Sequence, residues 1–403
     1  MINNALKKKI DAFKTADLLK AADIYPFFRP LQSDQDTEVI IGSKRILMFG
    51  SNSYLGLTNH PKVKEAAKKA IDKYGSGCAG SRFLNGTLDL HLQLEDALAQ
   101  FVGKESALVF STGYQVNLGV ISALAGRSDF LFLDELNHAC IIDGSRLSFS
   151  RNFKYGHSDM AHLEKLLANV PYDAFKLIAT DGVFSMEGDI AKLDEISNLA
   201  KKYNATVFVD DAHSLGVFGP AGQGTAAHYN ITHKVDLIMG TFSKSLASIG
   251  GFIAADRNVI EYLKHHARSL IFSASISPAA TASALAALNV LKDEPERLEK
   301  LWDNTNYTLE AFKEAGFDVG PTESPIIPIY VRDNEKTFLM AKMLMDEGVF
   351  VNPIVSPAVS SDSSMIRFSL MATHSFKQID FAVEKLKKVA FKLKIPLLNT
   401  AKV

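Results

Sequence analysis

The chain has 403 residues, of which 47 % are apolar and 22 % charged, a composition that excludes disordered, collagen-like and coiled-coil chains. Its 44 Lys and Arg residues balance 45 Asp and Glu residues, so no overall field favours nucleic acid or an anionic membrane. Cys78 and Cys140 are too few for a disulfide framework and lack metal-ligand spacing, which indicates a reducing, cytoplasmic compartment and no metal site.

Taken in chain order, the sequence predicts three parts. Residues 1–45 form an arm, and the first 20 residues lack the apolar run of an export signal. Residues 46–290 alternate short β-branched or aromatic runs with helical patterns, which predicts a large α/β domain on a mostly parallel sheet. Residues 291–403 predict a smaller C-terminal α+β domain.

Seven strands are predicted in the large domain, at residues 107–111, 130–133, 153–155, 176–180, 206–210, 237–240 and 251–254. Its predicted helices include 115–124, 160–168, 194–203 and 259–267. In the C-terminal domain, helices at 295–315, 335–347 and 376–392 alternate with strands near 326–331 and 365–369.

The uncharged stretch 269–291 is long enough to span a bilayer, so its content decides its interpretation. It contains five serines, and Ser277 followed by Pro278 is typical of an N-cap and a first helical residue. We therefore expect a helix packed inside the protein rather than a transmembrane segment.

A G-x-G-x-x-G pattern at residues 75–80 does not predict a dinucleotide site. Such a site requires a strand before the glycines and a helix after them, whereas residues 63–74 have helical spacing. Gly75 is therefore predicted to end a helix.

Polar residues at predicted strand ends indicate an anion site. The strand 107–111 continues through Thr112, Gly113 and Tyr114 into a helix, whose free N–H groups and dipole favour an anion. Gly113 has no side chain to keep phosphate oxygens from the backbone.

Two further strand ends carry an acid pair and a lysine. Asp210 and Asp211 point to opposite sides of their strand, so one can face a ligand while the other bonds to a loop, although strand-end acids also cap turns. Lys244 follows the next strand, beside the hydroxyl residues Thr241 and Ser243. It is either a solvated loop charge or a buried, nucleophilic amine that forms a Schiff base.

A phosphate site, a Schiff-base lysine and an acid for a ring nitrogen together indicate pyridoxal 5'-phosphate. Asp210 would keep the ring nitrogen protonated, His138 would stack on the ring, and His213 would donate to the ring oxygen. Taken alone, a histidine of this kind is more often a structural hydrogen-bonding residue. Together with Lys244 they indicate a cofactor site.

Five segments carry a family resemblance: NSYLGL at 52–57, GSRFLNGT at 80–87, DGVFSMEGD at 181–189, DDAHSLG at 210–216 and GTFSK at 240–244. Through them nearly the whole chain resembles the α-oxoamine synthases, which are fold-type I pyridoxal-phosphate enzymes and homodimers with shared active sites. Segments 27–30, 48–52 and 367–374 are most similar to members that condense L-serine with a long-chain acyl-coenzyme A.

The resemblance implies roles for the candidate cofactor residues. Lys244 would form the Schiff base, His138 would stack on the ring, and Asp210 would pair with the ring nitrogen. Contacts to the ring oxygen are implied for Ser185 and His213. The implied phosphate-binding residues are Gly113, Tyr114, Thr241, Ser243 and, reaching the neighbouring subunit, Ser273.

The resemblance also implies substrate residues. Arg367 would hold the amino-acid carboxylate with its two-pronged guanidinium. Asn52, Tyr54 and Ser81 would approach the substrate, and Arg29 would touch the carrier of the acyl donor. Some relatives have a second arginine ahead of the one matched by Arg367, but residues 351–365 contain none.

Alternatives follow from the same residues. A sister synthase that uses glycine or alanine would share every cofactor residue, and a transaminase would share the fold. A non-catalytic subunit is expected to lack Lys244. The lysine-rich helix near the C-terminus predicts a solvated face or, alternatively, weak contact with an anionic membrane surface.

Overall fold

The computed structural model describes residues 2–398. The N-terminal quarter contains four helices and two strands: α1 (Asn4–Asp11), α2 (Thr15–Ala21), β1 (Glu38–Ile41), β2 (Lys44–Met48), α3 (Pro61–Tyr74) and α4 (Asp89–Val102).

The middle of the chain alternates strands and helices. These elements are β3 (Ser106–Phe110), α5 (Gly113–Leu124), β4 (Phe130–Asp134), α6 (Ala139–Ser148), β5 (Arg151–Tyr155), α7 (Met160–Ala168), β6 (Lys176–Asp181), α8 (Leu193–Tyr203), β7 (Thr206–Asp210), α9 (Thr225–His228), β8 (Leu237–Thr241), β9 (Gly251–Ala255), α10 (Arg257–His266), α11 (Arg268–Ile271) and α12 (Pro278–Asp293).

The C-terminal part mixes long helices with short strands. Its elements are α13 (Glu296–Glu314), β10 (Ile326–Tyr330), α14 (Asn334–Asp346), β11 (Val349–Phe350), β12 (Asn352–Ile354), β13 (Met365–Ser369) and α15 (Phe376–Leu393). The predicted helices and strands of both regions are confirmed, with ends within two residues of the observed ones. The pattern does not predict α6, which contains Gly144 and two serines and begins after the His138 cap.

A seven-stranded sheet organises the middle of the chain, in the order β3-β9-β8-β7-β6-β4-β5. Strand β9 runs antiparallel to both its neighbours, β3 and β8, and all other pairs are parallel. The predicted mostly parallel sheet is therefore confirmed. The carboxyl ends of β4, β6, β7 and β8 lie at one edge, where ligands bind in such sheets.

Both faces of this sheet are covered by helices, as a parallel sheet requires. Along β4, Phe130 and Phe132 pack with residues of α7 and α8, while Leu131 and Leu133 pack with residues of α5 and α6. Because successive residues of a strand are buried on opposite faces of the sheet, the strands are continuous apolar runs in the sequence.

The N-terminal strands pair with the C-terminal part of the chain. Strands β1 and β2 form an antiparallel pair, and β2 also pairs in parallel with β11. A third sheet, β10-β13-β12, lies in the same C-terminal region. The division of the chain at residues 45 and 290 stays a prediction.

The uncharged stretch 269–291 contains α12, which begins after the Ser277 cap with Pro278 in its first turn, as predicted. Helix α12 packs against α3 and places Ala284, Ala287 and Leu288 in the core. Across residues 2–398, no helix has the length and apolar character needed to cross a membrane. Helix α3 ends at Gly75 with a φ of 82°, which confirms that this glycine ends a helix.

Candidate active site

A cavity of about 220 Å³ lies at the carboxyl edge of the sheet. Eight of the predicted site residues line it: Gly113, Tyr114, His138, Asp210, His213, Thr241, Ser243 and Lys244. Five other residues complete its wall: Asn117, Cys140, Asp181, Ala212 and Met239. The carboxyl ends of the strands therefore bring together residues that are up to 131 positions apart, from Gly113 to Lys244.

One end of the cavity offers backbone and hydroxyl donors. Helix α5 begins at Gly113, and the Thr112 hydroxyl caps it by accepting from the N–H of Gln115 at 3.2 Å. The hydroxyls of Thr241 and Ser243 lie 3.0 Å apart. A Cβ at Gly113 would lie 2.8 Å from the Thr241 hydroxyl oxygen, so only glycine leaves this corner open. Free helix N–H groups beside two hydroxyls fit a phosphate.

Asp210 ends β7 with its carboxylate in the cavity. One oxygen accepts from the N–H of Ala212 at 2.9 Å, and the other accepts from Nδ2 of Asn117 at 2.6 Å. Asp211 lies on the opposite side, where it accepts from the hydroxyl of Ser214 and the N–H of Thr225. Strand alternation therefore assigns the two acids to different environments, as the sequence predicts.

Asn117 is a site residue that the sequence reasoning misses. It is a buried amide on the apolar face of α5, one helical turn after Gly113, and it also donates to the sulfur of Cys140 at 2.9 Å. An amide among the apolar residues of this helix is the signal that could have identified it.

Lys244 carries the amine of the cavity. Burial lowers the pKa of Lys244 to about 8, with the Asp210 carboxylate opposing this shift and the charge of Arg367 adding to it. Near neutral pH this amine is therefore neutral far more often than an ordinary lysine, and the neutral amine is the nucleophilic form.

His138 is held by its backbone at the start of α6. Its N–H donates to Oδ2 of Asp181 at 2.8 Å, and its Nδ1 accepts from the N–H of Cys140 at 3.2 Å. Burial lowers the pKa of the imidazole, so His138 is a neutral ring at the cavity wall. Burial and the Asp210 charge raise the pKa of Asp181, a strand-end acid of β6 that the sequence reasoning also misses.

His213 shares a hydrogen bond with Tyr54, whose hydroxyl lies 2.7 Å from its Nδ1. Burial lowers the pKa of His213 well below its usual value, with contributions from the charges of Lys244 and Arg367. Burial raises the pKa of Tyr54, so the phenol keeps its proton and donates to Nδ1. The single proton of the neutral imidazole then lies on Nε2, which leaves an N–H donor for a ligand.

Arg367 lies beside the cavity on β13 and is only 4 % exposed. Its Nε donates to the carbonyl of Ser185 at 2.6 Å, and Nη1 donates to Asn52 Oδ1 at 2.9 Å and to the Ser369 hydroxyl at 2.8 Å. Its buried Nη2 has no hydrogen-bond partner among residues 2–398. A fixed guanidinium with one free N–H edge fits a carboxylate.

Seven predicted residues do not line this cavity: Asn52, Tyr54, Arg367, Ser81, Ser185, Ser273 and Arg29. Ser81 has a buried hydroxyl with no partner among the residues that the structure describes. Ser273 accepts from Nε2 of Gln115 at 3.0 Å, and Arg29 donates to the carbonyl of Tyr25 at 3.0 Å in the N-terminal segment. Ser185 meets Arg367 through its backbone carbonyl.

These residues fit pyridoxal phosphate on three separate observations. The Gly113 corner admits a phosphate, the Asp210 carboxylate faces the cavity, and the amine of Lys244 has a lowered pKa. The cofactor requires an anion cradle, an acid for its ring nitrogen and a lysine for its aldehyde. All three requirements are met within one cavity.

Comparison with known proteins gives the family. The sequence model of the class I and II aminotransferases matches residues 44–386, so the chain belongs to that family. The serine palmitoyltransferase of Sphingobacterium spiritivorum is 61 % identical over 389 residues, which cover 96 % of this chain and 98 % of that protein. The 8-amino-7-oxononanoate synthase of Thermoanaerobacter pseudethanolicus is 42 % identical over 379 residues, which cover 94 % of this chain and 96 % of that protein.

The fold is also that of solved structures. A serine palmitoyltransferase structure carrying pyridoxal phosphate as an internal aldimine matches with a TM-score of 0.94 and 34 % identity, covering 98 % of this chain and 100 % of that chain. The predicted fold-type I architecture of pyridoxal-phosphate-dependent transferases is therefore confirmed.

Proposed function

We propose that this protein catalyses the pyridoxal-phosphate-dependent condensation of L-serine with a long-chain acyl-coenzyme A, such as palmitoyl-coenzyme A. The products are 3-ketosphinganine, coenzyme A and CO₂. One observation carries the proposal: the cavity that holds Lys244, Asp210 and His138 adjoins a buried Arg367 with a free N–H edge. The identity of 61 % with a serine palmitoyltransferase supports this choice over the sister synthases.

Pyridoxal phosphate, when bound, supplies a carbonyl that captures an amino group and a ring that stabilises negative charge at the neighbouring carbon. Gly113, Thr241 and Ser243 would hold its phosphate, with Tyr114 beside them. Asp210 would hold its ring nitrogen, and Nε2 of His213 would donate to its ring oxygen. Lys244 would bind the carbonyl, and the hydroxyl of Ser185 would contact the ring oxygen.

The remaining residues act on the substrates. Arg367 binds the carboxylate of L-serine through Nη2, while Asn52 and the Ser185 carbonyl keep the guanidinium in place. The neutral amine of Lys244 removes the proton from the α-carbon of serine, since its lowered pKa suits a general base near neutral pH. His138 donates a hydrogen bond to the thioester oxygen as negative charge develops there.

An absorbance titration of the holoenzyme tests the substrate assignment. We expect L-serine to change the cofactor spectrum at a lower concentration than glycine or alanine. With palmitoyl-coenzyme A added, mass spectrometry should detect a long-chain amino ketone. Preference for glycine or alanine would instead assign the protein to a sister synthase, and absence of a cofactor band after adding pyridoxal phosphate would contradict both.

We also propose a homodimer with shared active sites. Ser273 lies outside the cavity of its own subunit, so it is available to a neighbouring one. Close to it in the chain, Phe272 is 74 % exposed, and the facing segment presents Leu84 at 80 % exposure. Sedimentation of a Phe272→Glu and Leu84→Glu double variant tests this surface, with a shift to monomer expected.

We propose that the protein works in the cytoplasm with, at most, weak contact to an anionic membrane. Both cysteines are free thiols, in keeping with a reducing compartment. Helix α15 presents lysines to solvent, and although Leu386 and Val389 are buried, Phe391 faces outward beside them at 85 % exposure. Flotation with anionic vesicles, compared between wild type and Phe391→Ser, tests the contact.

A further inference from the structure

His157 lies between two carboxylates outside the cavity. Its Nδ1 is 3.0 Å from Oδ1 of Asp134, and its Nε2 is 2.8 Å from Oδ2 of Asp189. Burial lowers the pKa of His157, but the hydrogen bonds and charges of the two acids outweigh burial and raise the pKa to about 10. Both ring nitrogens therefore carry protons and donate at neutral pH.

This charged bridge connects the sheet to a loop. Asp134 ends β4 and is almost fully buried, with its second oxygen accepting from the N–H of Ser158 at 2.9 Å. Asp189 lies near the end of the loop that follows β6, residues 182–190. His157 itself follows β5. The imidazolium thus ties loop 182–190 to the carboxyl ends of two neighbouring strands.

Loop 182–190 has a defined shape around this bridge. The N–H of Phe184 donates to the carbonyl of Asp189 at 3.0 Å, and the N–H of Gly188 donates back to Phe184 at 2.9 Å. The His157 ring meets the Phe184 ring edge-on, with centroids 4.4 Å apart. On its other side the loop fits closely against β10, since a Cβ at Gly188 would lie 2.3 Å from the carbonyl oxygen of Ile326.

The residue after Phe184 contacts the substrate arginine. The carbonyl of Ser185 accepts from Nε of Arg367 at 2.6 Å, one of three hydrogen bonds that orient this guanidinium. A shift of loop 182–190 would remove this acceptor. Without the hydrogen bond to the Ser185 carbonyl, the guanidinium could rotate, and Nη2 could then bond to acceptors of the protein itself.

We propose that His157 is a positioning residue for amino-acid binding: its bridge between Asp134 and Asp189 holds loop 182–190 so that the Ser185 carbonyl fixes Arg367 for the substrate carboxylate. The inference rests on the proposed function in that the substrate is an α-amino acid. His157 acts through Arg367 and makes no contact with the cavity.

The test is an absorbance titration of the His157→Gln holoenzyme with L-serine. Glutamine cannot bridge both acids as a charged donor, so the dissociation constant should rise about tenfold, the size of one charge-assisted hydrogen bond. Asp189→Asn removes the negative charge that the imidazolium pairs with on the loop and should give a rise in the same direction. His233→Gln, at an exposed position, is the matched control and should leave the constant unchanged.

A double variant separates positioning from general loss of structure. Arg367→Lys keeps the charge but lacks Nε, so it cannot use the Ser185 carbonyl in the same way. In that background, His157→Gln should change the serine dissociation constant less than twofold. Pyridoxal-phosphate affinity, measured separately by equilibrium dialysis, should be similar with and without His157→Gln.

Two results would overturn the inference: unchanged serine binding in both His157→Gln and Asp189→Asn, or an equal effect of His157→Gln with and without Arg367→Lys. If His157→Gln does not fold, Asp189→Asn decides alone. Failure of the proposed function has a different signature, because wild type itself would then not respond to L-serine. If another amino acid changes the wild-type spectrum, the His157 and Asp189 variants would be compared by titration with that amino acid.

Discussion

Nδ2 of Asn117 lies 2.6 Å from Oδ2 of Asp210, and this contact joins the first turns of α5 to the end of β7. The same amide donates to the sulfur of Cys140, so one side chain connects three segments of the cavity wall. Asp210 is thereby held with one oxygen on Asn117 and the other on the backbone of Ala212. The acid that would pair with the cofactor ring is oriented before the cofactor binds.

We predict that Asn117→Ala weakens pyridoxal-phosphate binding roughly tenfold, because a hydrogen bond to a charged group contributes about 1.5 kcal/mol. Equilibrium dialysis of the cofactor-free protein measures the change. Asn289→Ala, at an exposed position on α12, is the control and should bind normally. Equal affinity of the two variants would show that Asp210 does not depend on Asn117.

The Tyr54 hydroxyl should matter for turnover more than for stability. Tyr54→Phe removes the donor to Nδ1 of His213, so the imidazole proton is no longer confined to Nε2. We expect kcat/KM to fall roughly five- to tenfold, the effect of losing one hydrogen bond of about 1–1.5 kcal/mol. Steady-state kinetics measures it, with Tyr172→Phe as an exposed control. Unchanged kinetics would argue against a role for the tautomer.

Lys244 should react with pyridoxal phosphate with a pH dependence set by its lowered pKa. Only the neutral amine reacts, so the loading rate should rise with pH with a midpoint near 8 and level above it. Stopped-flow absorbance of the cofactor-free protein measures it, with Nα-acetyl-lysine correcting for titration of the cofactor. A midpoint near 10.5 would contradict the prediction. Lys244→Ala should abolish loading and turnover.

The same pKa has a consequence for stability. Folding lowers the pKa of Lys244 from 10.5 to about 8, so between these values the unfolded chain binds more protons than the native one. The contribution of Lys244 to the stability of the cofactor-free protein therefore increases as the pH rises from about 8 to 10.5. Denaturant unfolding across this range should show that the free energy of unfolding rises more steeply with pH in wild type than in Lys244→Met.

Gly113→Ala should damage both the cavity and the fold. The added Cβ would lie 2.8 Å from the hydroxyl oxygen and 2.9 Å from Cβ of Thr241, which is closer than van der Waals contact. We expect the free energy of unfolding to fall by roughly 1–3 kcal/mol and cofactor affinity to fall with it. Gly77→Ala is the control, because a Cβ there meets nothing within 4 Å. Similar unfolding curves for the two variants would contradict the clash.

The Arg82–Glu95 pair should be a major contributor to stability. Both side chains are only 7 % exposed, and Glu95 accepts from both terminal nitrogens of Arg82, at 2.9 and 3.1 Å. Glu95→Ala leaves a buried guanidinium unpaired, which should lower the free energy of unfolding by about 3–5 kcal/mol. Glu65→Ala breaks an exposed pair and should change it by about 0–1 kcal/mol. Denaturant unfolding separates the two.

The sheet and the residues at its carboxyl edge can be predicted from the amino-acid sequence. Apolar runs of β-branched residues define the strands, and parallel connections place their carboxyl ends side by side. This pattern is enough to predict that Asp210, Thr241 and Lys244 lie close together. Alternation along β7 likewise separates Asp210 from Asp211. The family resemblance added Arg367, Asn52 and Tyr54, for which no periodic pattern exists.

The side chains that orient the site depend on contacts between elements that are distant in the sequence. Asn52 and Arg367 are 315 positions apart and come from opposite ends of the chain, yet share a 2.9 Å hydrogen bond. Asn117, Asp181 and His157 carry no sequence signal of a partner, because each has its partner on another element. Periodicity reports which face of an element is buried. Only the packing of elements decides which polar groups meet there.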